Sequence, residues 1–135
     1  MTSDIRAGVK AALPIVLGYL PVGMAYGVLA RAAGLSIWET GVMSLIVFAG
    51  ASQFIAVGLI GASAAILPIM LTTFVVNARH VLMSSAMAPY FKGQPLRTLI
   101  PLSAQLTDES FALAMADTSR IAGKPRFQIG LQMTA

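Results

Sequence analysis

From Thr40 to Asn77 the sequence carries no charged side chain, and it then sets Arg79 and His80 side by side within a further apolar run. No other feature constrains the chain as strongly. A surface helix in a soluble protein keeps a polar face, because one side of it meets water. A run of this length without such a face belongs where there is no water to meet. Four windows, residues 11–32, 37–59, 65–90 and 96–116, are long enough to cross a hydrocarbon layer, which takes about 20 apolar residues. Charged residues make up 10% of the 135, less than half the roughly 25% of a soluble domain. The expected fold class is an all-α membrane protein with about four transmembrane helices, some broken by Pro or Gly. Residues 1–135 are expected to form one integral-membrane domain.

The net charge of +4 is not a nucleic-acid signal. Arg6, Lys10, Lys92, Arg97, Arg120, Lys124 and Arg126 flank the apolar windows, where juxtamembrane cations belong. With four crossings and a cytoplasmic N-terminus, Arg6, Lys10, Arg120, Lys124 and Arg126 fall inside, and Arg31, Lys92 and Arg97 outside. The positive-inside bias favours that orientation by a small margin; a re-entrant second window would change it. The absence of cysteine excludes disulfides, thiol chemistry and Cys-based metal sites. Arg6 and Lys10 before an apolar run imitate a signal peptide, but the run continues past Ala30 and is too long for a signal core.

The first window contains Gly18-Tyr19-Leu20-Pro21-Val22-Gly23 and then Gly27. Pro21 removes a backbone donor, which predicts a kink or a break. Either it shapes packing alone or it opens the helix toward a substrate. Gly23 and Gly27 form a GxxxG pair that permits close helix approach. Gly34 suits a helix C-terminus and Ser36 an N-cap, and Trp38 sits where an interfacial aromatic anchor is expected. The second window has a small, polar middle, Phe48-Ala49-Gly50-Ala51-Ser52-Gln53-Phe54. Away from water Gln53 needs a hydrogen-bond partner, which a neighbouring helix or a substrate would equally supply.

In the third window Thr73, Asn77, His80 and Ser84 share one stripe at helical spacing, with Arg79 on another face. Such a stripe in an apolar span faces a bundle interior or an aqueous cavity. In the fourth window Pro101 interrupts the run, and Thr107-Asp108-Glu109-Ser110 lies at its centre. Two acids there make sense if a second half-helix starts after Thr107, whose side chain would cap it. Asp108 and Glu109 then occupy a positive helix N-terminus. Discontinuous helices of this kind mark substrate and ion sites in secondary transporters; an interfacial helix with ordinary capping acids is the alternative. Phe127 to Ala135 begins a further apolar run, so the chain reads as the N-terminal part of a longer transporter.

Five stretches together resemble the AzlC family. They are Gly18-Tyr19-x-Pro21-x-Gly23, Ala33-Gly34-Leu35-Ser36, Val47-Phe48-Ala49-Gly50-Ala51-Ser52-Gln53-Phe54, Asn77-x-Arg79-His80-x-Leu82-Met83-Ser84 and Thr107-Asp108-Glu109-x-Phe111. They follow the family's order and reach from Gly18 to Phe111. The resemblance implies a permease subunit of the bacterial inner membrane that exports the branched-chain amino acids leucine, isoleucine and valine, with methionine a further candidate. It also implies coupling to protons and a small AzlD-type membrane subunit as partner. A membrane enzyme is not expected, since the sequence offers no metal-ligand cluster and a single histidine near two acids is weak evidence for hydrolysis; no cofactor is expected.

An amino-acid substrate needs a cation or helix N-terminus for its carboxylate, an acceptor for its ammonium and an apolar pocket. Arg79 is a candidate for the first and Asp108 or Glu109 for the second. Phe48, Phe54, Met83 and Met87 are candidates for the pocket. His80, Asp108 and Glu109 are candidate proton carriers, because a histidine or a partly buried carboxylate titrates near neutral pH. Alternatively Arg79 forms a structural ion pair with one of the two acids. The rival functional class is a non-transporting membrane scaffold or assembly subunit.

Overall fold

The computed structural model describes residues 2–47 and 49–135, and within them the regular elements are all helices. The helices are α1 (Thr2–Ala32), α2 (Ile37–Val47), α3 (Gly50–Gly61), α4 (Ile66–Asn77), α5 (Arg79–Met87), α6 (Leu96–Ala104), α7 (Asp108–Ala116) and α8 (Pro125–Gln132). Short 3-10 turns at Ala88–Phe91 and Thr118–Arg120 complete the path. Two stretches are long and apolar enough to cross a membrane, Asp4–Ala32 and Ile66–Phe91. In a soluble protein, core helices of this composition would be mostly covered. Here only 11% and 6% of their most apolar windows are buried. Leu17, Leu20, Met24 and Val28 on α1 and Leu67, Met70 and Phe74 on α4 point outward. Outward-facing apolar side chains on helices with internally satisfied backbones suit a lipid environment.

The chain packs as two units, Met1–Tyr19 with His80–Ala135, and Leu20–Arg79. In the first, Ala12, Met87, Phe91, Leu106, Ile121, Phe127 and Leu131 form the core. Helices α1 and α8 approach closely at two glycines. A Cβ added at Gly8 would collide with the Phe127 carbonyl oxygen and lie 2.8 Å from the Leu131 nitrogen. A Cβ at Gly130 would collide with the Ile5 carbonyl oxygen. The two backbones touch directly, and only glycine leaves the space.

In the second unit Tyr26, Ala30, Leu35 and Val57 form the core, with Phe54 edge-on to Tyr26 at 6.0 Å between ring centroids. Helix α1 ends in a Schellman motif: Leu35 N–H donates to Ala30 O and Gly34 N–H to Arg31 O, with Gly34 at φ +90°. The Arg31 guanidinium donates to Leu35 O at 2.8 Å. Ser36 and Glu39 then make a capping box at the start of α2. The same device ends α3, with Ser63 at φ +55°, and α4 returns alongside α3.

Four expectations are corrected. Pro21 does not break α1, which runs unbroken from Thr2 to Ala32. A proline there removes one ladder bond from a helix of 31 residues, and the remaining ladder holds the segment. Pro101 likewise lies inside α6, and the interruption falls later, at Gln105–Thr107. The second window is divided into two helices: α2 and α3 have 11 and 12 residues, each too short to cross alone. The GxxxG pair also differs from expectation. Nothing lies within 4 Å of an added Cβ at Gly18, Gly23 or Gly27, so the close approach is made at Gly8 and Gly130 instead.

Gly8→Ala and Gly130→Ala should each destabilise the protein by about 1–3 kcal/mol, the usual cost of overpacking. Gly23→Ala should be neutral or stabilise by about 0.5–1 kcal/mol through its better helix propensity. Thermal unfolding in detergent checks both directions.

Candidate functional site

The breaks between helices gather the polar groups. Each helix end leaves backbone groups without an intrahelical partner, and an apolar environment requires the fold to supply one. At the start of α7, Thr107 is the N-cap. Its Oγ1 accepts from Ser110 N–H at 3.2 Å, and Ser110 Oγ accepts from Thr107 N–H at 3.0 Å. This reciprocal box occupies the N-terminal donors, and Ser110 is fully buried. Asp108 and Glu109 thereby sit in the first turn, beside the positive end of the helix. The Tyr19 hydroxyl of α1 donates to Glu109 Oε2 at 2.5 Å. The sequence singled out both residues without pairing them, because 90 positions separate them. Beyond α7, the Ser119 hydroxyl and then the Arg120 side chain hold the Asp117 carboxyl below its usual range.

At the α2–α3 break Ala49 is extended. Gln53 Nε2 reaches back to the carbonyls of Met43 and Ser44, at 3.4 and 3.3 Å. It thus serves the carbonyl end of α2, the neighbouring-helix option of the two open to it. Ser52 is fully buried, and its hydroxyl donates to Ala49 O at 2.9 Å. Phe48, a pocket candidate, lies outside the described residues.

The polar stripe of the third window is shared between the units. Thr73, Asn77 and Arg79 belong to Leu20–Arg79, and His80 and Ser84 to the other unit with Asp108 and Glu109. Ala78 alone separates α4 from α5 and keeps helical angles. Asn77, Arg79, His80 and Ser84 are all half-buried. Thr73 Oγ1 donates to Ile69 O of its own helix. Of the pocket candidates, Met83 and Met87 join the core of the first unit and Phe54 packs against that of the second.

One feature of the first unit lay outside the sequence reading. A half-open cavity of about 140 Å³ lies among α5, α6 and α8. Met87 and Phe91, with Leu99, Leu102 and Leu106, supply apolar walls, and Ser84 and Ser103 lie at its lining. Gln128 and Gln132, one turn apart on α8, face it too. Gln132 Nε2 donates to Leu102 O at 3.0 Å, serving an orphan carbonyl at the end of α6. Gln132 Oε1 and both amide atoms of Gln128 are buried without a hydrogen-bond partner. The signal was present in the sequence as two glutamines at i, i+4 inside the apolar run 127–135.

Long outward-apolar helices, interrupted helices with capped ends and a polar stripe through one of them define a helical membrane protein. The model of the AzlC protein family matches residues 14–135, and the chain belongs to that family. An Archaeoglobus fulgidus relative, an uncharacterized membrane protein, is 40% identical over 133 residues, covering 95% of this chain and 54% of its own length. The inner membrane protein YgaZ of Escherichia coli K12 is 36% identical over 120 residues, 88% of this chain and 49% of its own. The branched-chain amino acid transport protein AzlC of Bacillus subtilis 168 is 30% identical over 108 residues, 80% of this chain and 42% of its own. The chain thus spans about half the length of the curated relatives it matches. No solved structure matches it.

Thr107→Ala should lower stability by about 1 kcal/mol through loss of the α7 cap, whereas Thr107→Ser should preserve it. Denaturant unfolding of the purified protein followed by far-ultraviolet circular dichroism distinguishes the two.

Proposed function

We propose that this chain is part of a carrier that exports branched-chain amino acids across the bacterial inner membrane, driven by the proton gradient. The observation that carries this reading is the family match over residues 14–135, joined to the transport function named for the Bacillus subtilis relative. The interrupted helices and the capped, acidic start of α7 support it, since carriers of this kind bind solutes at half-helix termini. In this reading the chain is multi-pass with a cytoplasmic N-terminus, and a small membrane subunit of the AzlD type completes it.

His80, Asp108 and Glu109 are the proposed proton carriers. His80 lies half-buried near the start of α5, and an imidazole changes charge within the range that a proton-coupled step needs. Asp108 and Glu109 sit at the α7 N-terminus, and the Tyr19 hydroxyl orients Glu109.

A second reading, a non-transporting membrane subunit, draws on the open small-residue face at Gly23 and Gly27, which suits a partner helix.

Cells expressing the full locus and loaded with labelled leucine should export it, and a proton-gradient uncoupler should collapse that efflux. No efflux in either condition would remove the transport reading and leave the subunit reading. In His80→Ala the rate should lose its dependence on external pH. Unchanged pH dependence would exclude His80 from the proton path.

A further inference from the structure

We infer that the cavity among α5, α6 and α8 is the binding pocket for the carried amino acid, and that Gln128 holds the polar head of that substrate. The inference rests on the transport reading and assigns its binding site to residues outside the ionisable cluster.

Gln128 is fully buried, yet neither Nε2 nor Oε1 has a partner, and Gln132 Oε1 shares that condition. Each buried polar group left without a hydrogen bond costs about 1–3 kcal/mol. Leucine at position 128 would fill similar space without that cost. A glutamine there is explained by a partner that arrives with the ligand. A carboxamide offers one donor group and one acceptor. Nε2 donates to the substrate carboxylate and Oε1 accepts from its ammonium, so one neutral side chain serves both ends of a zwitterion. The lining contains no charged residue, which suits a ligand of zero net charge.

The remaining walls suit an aliphatic side chain. Met87, Phe91, Leu102 and Leu106 present apolar surface, and Met87 adapts its shape readily. A dry apolar cavity of about 150 Å³ accommodates benzene. At about 140 Å³ this cavity holds a three- or four-carbon branched side chain. Gln132 is held to Leu102 O and so fixes the distance between α8 and α6, which sets the pocket's width. It is a positioning residue.

The test is Gln128→Leu in the protein expressed with its full locus, read by leucine efflux and by thermal stability of the purified protein with and without L-leucine. The half-saturating internal leucine concentration should rise at least tenfold, and the stabilisation by L-leucine should vanish. The ligand-free melting temperature should hold or rise, since unsatisfied polar atoms are removed. Leu106→Phe should fill the apolar end and shift preference from leucine toward alanine. Unchanged half-saturation in Gln128→Leu would overturn the pocket while leaving transport standing. So would a lower ligand-free melting temperature with the leucine response intact, which would make Gln128 a packing residue against further protein. Absence of leucine efflux from the unmodified protein would remove the transport reading and the pocket's substrate together.

Discussion

The contact between the backbones of α1 and α8 at Gly8 and Gly130 leaves no room for a side chain at either position. Neither glycine tolerates a Cβ, because the opposing atoms are main chain and have no rotamer to yield. In an apolar environment helices gain little from burying apolar side chains against one another, so close backbone approach becomes a main source of attraction. The contact seats α8 against α1. With α8 seated, Phe127 and Leu131 complete the core, and Gln128 and Gln132 turn to the cavity. The pocket therefore depends on two residues that do not touch it.

Satisfaction of helix ends is the second constraint, and it explains most of the polar residues inside the apolar windows. Gly34 and Ser63 close α1 and α3 through left-handed turns. Ser36 with Glu39, and Thr107 with Ser110, open α2 and α7. Gln53 and Gln132 donate to carbonyls at the ends of α2 and α6. These residues have structural work that accounts for their presence. Gln128 has none, and that difference separates it from the others.

Asn77-Ala78-Arg79-His80 was conspicuous for the cost of ionisable groups in an apolar run. The structure divides the stretch rather than treating it as one feature. Arg79 ends one unit and His80 begins the other. Glu109 has its own donor in the Tyr19 hydroxyl, a pairing that helical spacing could not show.

The sequence alone determined the class, because an uncharged run from Thr40 to Asn77 leaves no face for water. It also determined the local helix signals at Gly34, Ser36 and Thr107, since capping depends on residues three or four apart. It allowed a break at Pro21 and expected one at Pro101, where α1 and α6 run on, because a proline's missing bond need not end a helix whose other ladder bonds remain. It attributed close packing to Gly23 and Gly27, although spacing marks where approach is permitted and not where it occurs. Only the tertiary structure decided that Gly8 meets α8 and Gly130 meets α1, that Tyr19 reaches Glu109, and that Gln128 is enclosed without a partner. Each of these depends on which distant backbone lies opposite, and that is set by packing among elements rather than by any local pattern.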